Sequence, residues 1–140
     1  MGVVHERWHG KRIIAQMQAE FRERLDLAGF KLVRFAKGKM KSQPIELRPK
    51  KGKGGKRRRV GLDPSKPGEY PKRVGPHLVT EIFHELTAWN HARWGTNVPY
   101  AKIQHFSKNR KRRRPWMTLA NKAFRGKLKR LLSRPIRRLA

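Results

Sequence analysis

Cysteine is absent from the 140-residue chain, which excludes disulfides, thiolate catalysis and cysteine-ligated zinc. Acids are scarce: nine Asp and Glu stand against 37 Lys and Arg, for a formal net charge of +28. A hydrolase or a two-metal nuclease gathers carboxylates beside a base or a metal, and nine scattered ones supply no such group. Long apolar runs are missing as well. No stretch approaches the roughly 18–20 consecutive apolar residues of a membrane span, and the first 32 residues lack the uninterrupted apolar centre of a secretory signal. Glu6, Glu20, Glu23 and Asp26 set the same region apart from an acid-poor organellar presequence. With hydrophobic residues at only 36%, one small core with polar extensions is expected rather than two domains.

Positive charge is what the chain has in excess. Unpaired cations repel one another over roughly 8–10 Å at physiological salt, so a body of this composition calls for a polyanion. Each phosphate neutralised also releases condensed counter-ions, which makes binding strong and steeply salt-dependent. Nucleic acid is therefore the expected partner class.

The spacing predicts a mainly α protein: a small core of about three amphipathic helices with long basic, Gly/Pro-rich extensions that order on RNA binding. Segment 1–36 reads as a first helix over Lys11–Ala28, with Ile13, Ile14, Met17, Phe21 and Leu25 at spacings of three and four, stopped by Gly29 and followed by a short strand at Phe30–Phe35. Segment 37–76 holds six of the nine prolines, seven of the twelve glycines and 14 cations against three acids, and reads as an irregular basic arm. Within it, Ile45–Leu47 is the one stretch that suits a brief strand. Segment 77–94 reads as a second helix on the stripe Leu78, Val79, Ile82, Phe83, Leu86 and Trp89, opened by Pro76. Segment 95–115 reads as a loop with an Arg-rich run. A third helix over Trp116–Ser133 and a basic tail fill 116–140, Gly126 weakening that helix by about 1 kcal/mol relative to Ala.

Candidate contacts with RNA follow from this layout. In the arm they are Lys50, Lys51, Lys53, Lys56, Arg57, Arg58 and Arg59, where glycine freedom accompanies dense charge. The second run supplies Lys108, Arg110, Lys111, Arg112, Arg113 and Arg114. The last helix and tail supply Lys122, Arg125, Lys129, Arg130, Arg134, Arg137 and Arg138. Trp94 and Trp116 stand beside glycine or cationic segments and are candidates for stacking on splayed bases, worth about 1–3 kcal/mol per base, or for anchoring those segments to the core. Ile13, Met17, Phe21 and Leu25, with Leu78, Ile82, Phe83, Leu86 and Trp89, are expected to dock together or on neighbouring proteins.

Other constellations carry less. His5 and His9 have helical ligand spacing, but two ligands do not make a site and Glu6 is the only carboxylate nearby. His77, His84 and His91 recur every seven residues, about 10.5 Å apart along a helix and too far to share an ion. The glycine-lysine run 52–56 lacks the spacing of a phosphate loop. No cofactor, metal, catalytic residue or small-molecule substrate is expected.

Small helical core, Gly/Lys/Arg-rich extension and Arg-rich C-terminal helix together resemble ribosomal proteins as a class, without the motif of one family. The resemblance implies a structural constituent of a ribosome, lineage-specific and mitochondrial rather than cytosolic, with rRNA and neighbouring ribosomal proteins as partners. Rival readings are a DNA-packaging or nucleoid protein, an RNA-processing enzyme or accessory subunit built on His84, Glu85 and His91, and a ribosome-assembly factor that leaves the mature particle.

Overall fold

The computed structural model describes residues 10–43, 47–51, 57–62, 65–71, 77–110 and 113–135. A long helix, α1 (Gly10–Lys41), is followed by strands β1 (Leu47–Lys51) and β2 (Arg57–Leu62), a single helical turn α2 (His77–Thr80), strands β3 (Ile82–Ala88) and β4 (His91–Thr96), and helices α3 (Pro99–Phe106) and α4 (Trp116–Leu132). The protein is mainly helical, with two separate antiparallel strand pairs.

α1 runs for 32 residues, about 48 Å at 1.5 Å per residue. Gly29 does not stop it, and the strand expected at Phe30–Phe35 is helical instead. Leu32, Val33, Ala36 and Met40 continue the spacing of three and four, and all four are buried. Gly29 is retained for packing: a β-carbon there would lie 2.6 Å from Cδ2 of His84 on β3.

Residues 77–94 do not form the expected helix. Only one turn is helical, after which Ile82–Ala88 pairs with His91–Thr96 around a turn at Trp89–Asn90. The register sets Ile82 opposite Thr96, His84 opposite Trp94 and Leu86 opposite Ala92. Because strand side chains alternate between faces, Ile82, His84, Leu86 and Trp94 share one face, and His84 and Ile82 meet α1 or the core there. Phe83, Glu85 and Arg93 take the other face, with the Arg93 guanidinium donating to the Glu85 carboxylate. The apparent helical stripe arose because Ile82 and Leu86 fit both a period of two and a spacing of four.

Two further differences concern loops. The arm 37–76 contains the last turn of α1 and an antiparallel ladder, β1 on β2, with Leu47 opposite Leu62. Segment 95–115 contains α3, which starts at Pro99, where a missing N–H costs nothing. α4 matches its expected range to within one residue, and its last turn carries Lys129 and Arg130, favourable at the negative end of the helix dipole.

α1 and α4 pack antiparallel, as Phe35 against Phe124 (ring centroids 5.8 Å apart) and Arg24 against the Arg134 and Pro135 carbonyls show. Ala36 and Ala120, both 0% exposed, let the two backbones close together. The adjoining core gathers Val33, Met40, Leu78, Val79, Ile82, Ala101 and Trp116. Trp116 is 1% exposed and packs edge-on against Trp94, with centroids 5.7 Å apart.

Candidate nucleic-acid interface

Charge is segregated along this fold. Residues 10–30 and 81–96 together hold five Lys and Arg and five Asp and Glu, so the whole net +28 resides elsewhere, in 32 cations against four acids. The C-terminal half of α1, from Lys31 to Lys41, carries Lys31, Arg34, Lys37, Lys39 and Lys41 and no acid. α4 with its exit carries Lys122, Arg125, Lys127, Lys129, Arg130 and Arg134, again with no acid. Antiparallel packing sets the acid-free half of α1 beside α4, eleven cations between them, while Glu20, Glu23 and Asp26 stand on the other half of α1.

Between the two helices runs an open groove of about 460 Å³. Its floor is Phe35, Phe124 and Leu131, and its rim is Lys31, Arg34, Lys127, Arg130 and Arg134. Phe35 is half-buried, with Lys39 Nζ 5.7 Å and Lys127 Nζ 5.8 Å from its ring centroid. A second groove of about 380 Å³ on the other flank of α4 is edged by Lys122 and Arg125 over Leu32, Phe124 and Leu128. An aromatic floor rimmed by cations at helical spacing suits an anionic backbone with an adjoining planar base. Lys31, Arg34, Lys37, Lys39 and Lys127 were absent from the sequence-derived set. The signal that would have found the four on α1 is the acid-free run after Asp26, readable once α1 is extended past Gly29.

The β1–β2 ladder adds a second cationic element. Its register places Lys50 opposite Arg58 and Lys51 opposite Arg57. Arg59 lies in β2 beside them. Lys53, Lys56, Lys111, Arg112, Arg137 and Arg138 lie outside the described residues, as do His5 and His9.

In the Arg-rich run, Lys108, Arg110 and Arg113 are exposed. Arg114 is not: it is 8% exposed, its Nε donates to Ser65 Oγ at 2.8 Å, and another guanidinium nitrogen donates to the Ser65 carbonyl. Its backbone N–H bonds Gln104 O at 2.7 Å, and Arg113 O accepts from Gly68 N at 3.1 Å. Arg114 thus ties segment 65–71 to the end of α3, which removes it from the RNA-contacting set. Trp116 leaves that set too, since its buried ring has no free face for a base. Trp94 is half-buried and donates its indole N–H to Asn121 Oδ1 at 3.1 Å, anchoring β4 to α4. For both tryptophans the anchoring role fits the geometry.

The docking residues also divide. Leu78 and Ile82 are core, 5% and 2% exposed, and are spent within the chain. Phe21, Leu25, Phe83 and Leu86 are half-buried, and Phe21 meets Trp89 edge-on at 6.1 Å. Ile13, Met17 and Trp89 remain exposed.

The polar cluster of His84, Glu85 and His91 is dispersed by the hairpin. His84 Nε2 lies 3.0 Å from Asp26 Oδ1 on α1, Glu85 holds Arg93 on the opposite face, and His91 Nδ1 meets Thr87 Oγ1 at the turn. Among the described residues no three His, Asp or Glu side chains come together as metal ligands, and no helix is long and apolar enough to cross a membrane. Burial, and then the charge of Arg113, hold the His105 imidazole below its ordinary value near 6.5. No protein-family model matches this chain, and no curated protein or solved structure is significantly similar to it.

Proposed function

We propose that this chain is a structural, RNA-binding subunit of a large ribonucleoprotein particle, and that the particle is a ribosome, mitochondrial rather than cytosolic. The observation that carries the reading is the acid-free groove between the C-terminal half of α1 and α4, rimmed by Lys31, Arg34, Lys127, Arg130 and Arg134 and set apart from a charge-balanced apolar end. A chain so divided has one surface for phosphate and another for protein, as a subunit wedged between RNA and its neighbours requires. The groove cations track the backbone, and the floor at Phe35 offers an aromatic edge to a splayed nucleotide.

A second reading is duplex-DNA binding in a packaging or nucleoid assembly. It is favoured by the rigidity of the same face, since cations at helical spacing on a folded support suit a regular phosphate array without base contacts.

The test is sedimentation of tagged protein from native lysate in a sucrose gradient, before and after RNase and separately DNase, with sequencing of the nucleic acid in the peak. Co-migration with one ribosomal subunit and its rRNA is expected, lost on RNase. Migration with DNA that survives RNase overturns the ribosomal reading and leaves the second. A parallel titration of purified protein should show the salt slope falling by about 0.7–0.9 for each phosphate contact removed when Lys31, Arg34, Lys127 and Arg130 are changed to Gln.

A further inference from the structure

The groove between α1 and α4 is not uniform along its length. Its aromatic part, Phe35 of α1 against Phe124 of α4, lies at one end. From there it runs toward Arg134, about 15 Å along α4, between Lys31 and Arg34 on one side and Lys127 and Arg130 on the other. Beyond Leu131 and Arg134 it opens into a second hollow, where Glu20 and Glu23 offset Arg24 and Arg134. The excess of positive charge stops there, so a chain of phosphates is favoured over a short track and no further.

The half-buried Phe35 ring is approached by ammonium groups from both helices, Lys39 Nζ at 5.7 Å and Lys127 Nζ at 5.8 Å from its centroid. Both lysines are exposed, and neither has a carboxylate partner among the described residues. Gathering two like charges at one ring sets them against each other. At an exposed site an ammonium gains less from a ring than a stacked base does, and it gains more from a phosphate. All three groups therefore have a better partner in a nucleotide than in one another.

We propose that this groove takes a short single-stranded stretch of nucleic acid, one base stacking on Phe35 while Lys39 and Lys127 leave the ring for the adjoining phosphates. The inference rests on the nucleic-acid reading of the groove but not on the ribosomal one. Depth selects the strand over a duplex. The apolar floor of Phe35, Phe124 and Leu131 lies beneath the rim cations, and a duplex keeps its bases within the stack, offering such a rim only phosphate and sugar. A single strand satisfies the rim and covers the floor as well. An acidic polypeptide satisfies the rim alone.

The experiment titrates the full chain, at matched salt, with a short oligouridine, the same oligomer carrying abasic residues, an RNA duplex with as many phosphates, and polyglutamate. Oligouridine should bind at least about tenfold more tightly than any of the others. Phe35→Leu, which keeps an apolar side chain against Phe124, should weaken oligouridine by about 5–100-fold at an unchanged salt slope and leave the duplex as it was. Lys39→Gln and Lys127→Gln should each lower the single-strand slope by about 0.7 without moving the melting temperature. A 2-aminopurine placed in the strand should be quenched by the wild-type chain and not by Phe35→Leu. If that variant melts early, the abasic comparison on the wild-type chain decides. Equal affinity for duplex and single strand, or indifference to missing bases, would overturn the inference while leaving nucleic-acid binding in place. Polyglutamate competing as well as oligouridine would overturn both. A chain that meets every expectation here but sediments apart from ribosomes would keep the inference and lose only the ribosomal reading.

Discussion

The imidazole of His84 rests on Gly29: Cδ2, Cγ and Cβ of the histidine stand 2.6, 3.0 and 3.3 Å from where a β-carbon of residue 29 would be. The contact locks β3 onto α1 at one height, and Asp26 one turn away fixes the ring by its Nε2 at 3.0 Å. Phe30 meets the same ring edge-on.

Gly29→Ala should therefore destabilise the fold, although Ala is the better helix former by about 1 kcal/mol. The whole ring, not a flexible tip, stands in the way, so the hairpin must shift, at a cost of about 1–3 kcal/mol. Urea denaturation measures it. His84→Ala in the Gly29→Ala background should remove most of the clash, giving a non-additive double-mutant cycle.

Gly126 is the opposite case. It sits mid-way along α4, exposed, with nothing within 4 Å of a β-carbon built there. Gly126→Ala should raise stability by up to about 1 kcal/mol, read as a higher melting temperature with unchanged nucleic-acid affinity.

Arg114 and Arg110 lie in one basic run but should behave differently. Arg114→Gln breaks the buried bonds to Ser65 and should cost about 2–4 kcal/mol of stability. Arg110→Gln should leave stability within about 0.5 kcal/mol and, if phosphate lies there, lower the salt slope of binding by about one unit.

His105 gives the fold a pH dependence. Its folded-state imidazole is held below the unfolded value near 6.5, so the unfolded chain takes up the proton first. Stability from this group is full above about 6.5, falls as pH drops from there toward the lowered folded value, and is flat below it. Unfolding free energies measured across that range should show the decline, and His105→Gln should lessen its slope.

The sequence was most legible where one periodicity ruled. α4 was readable because Leu119, Ala120, Ala123, Phe124 and Leu128 admit only a helical face, and the first half of α1 was readable for the same reason. Gly29 misled because a helical glycine reads locally as a stop, whereas here the need comes from a ring 55 residues away in sequence. The β3–β4 hairpin was hidden because Trp89–Asn90 carries no glycine and because Ile82 and Leu86 satisfy two periods at once. Of the candidate interface, the α4 cations other than Lys127 were legible from charge alone. Their α1 counterparts needed the helix to run through Gly29, and the burial of Arg114 and Trp116 needed tertiary contacts that no local pattern encodes.

α1 joins the charge-balanced end to the cationic end without a break, and this makes it a strut. Ile14 and Arg34 are twenty residues apart on one helix, about 30 Å along its axis. Whatever is held at one end is kept at a set offset and rotation from whatever is held at the other. Removing four residues between them would shorten that offset by about 6 Å while turning it by only about 40°, so the chain acts as a gauge whose reading is written in residue count.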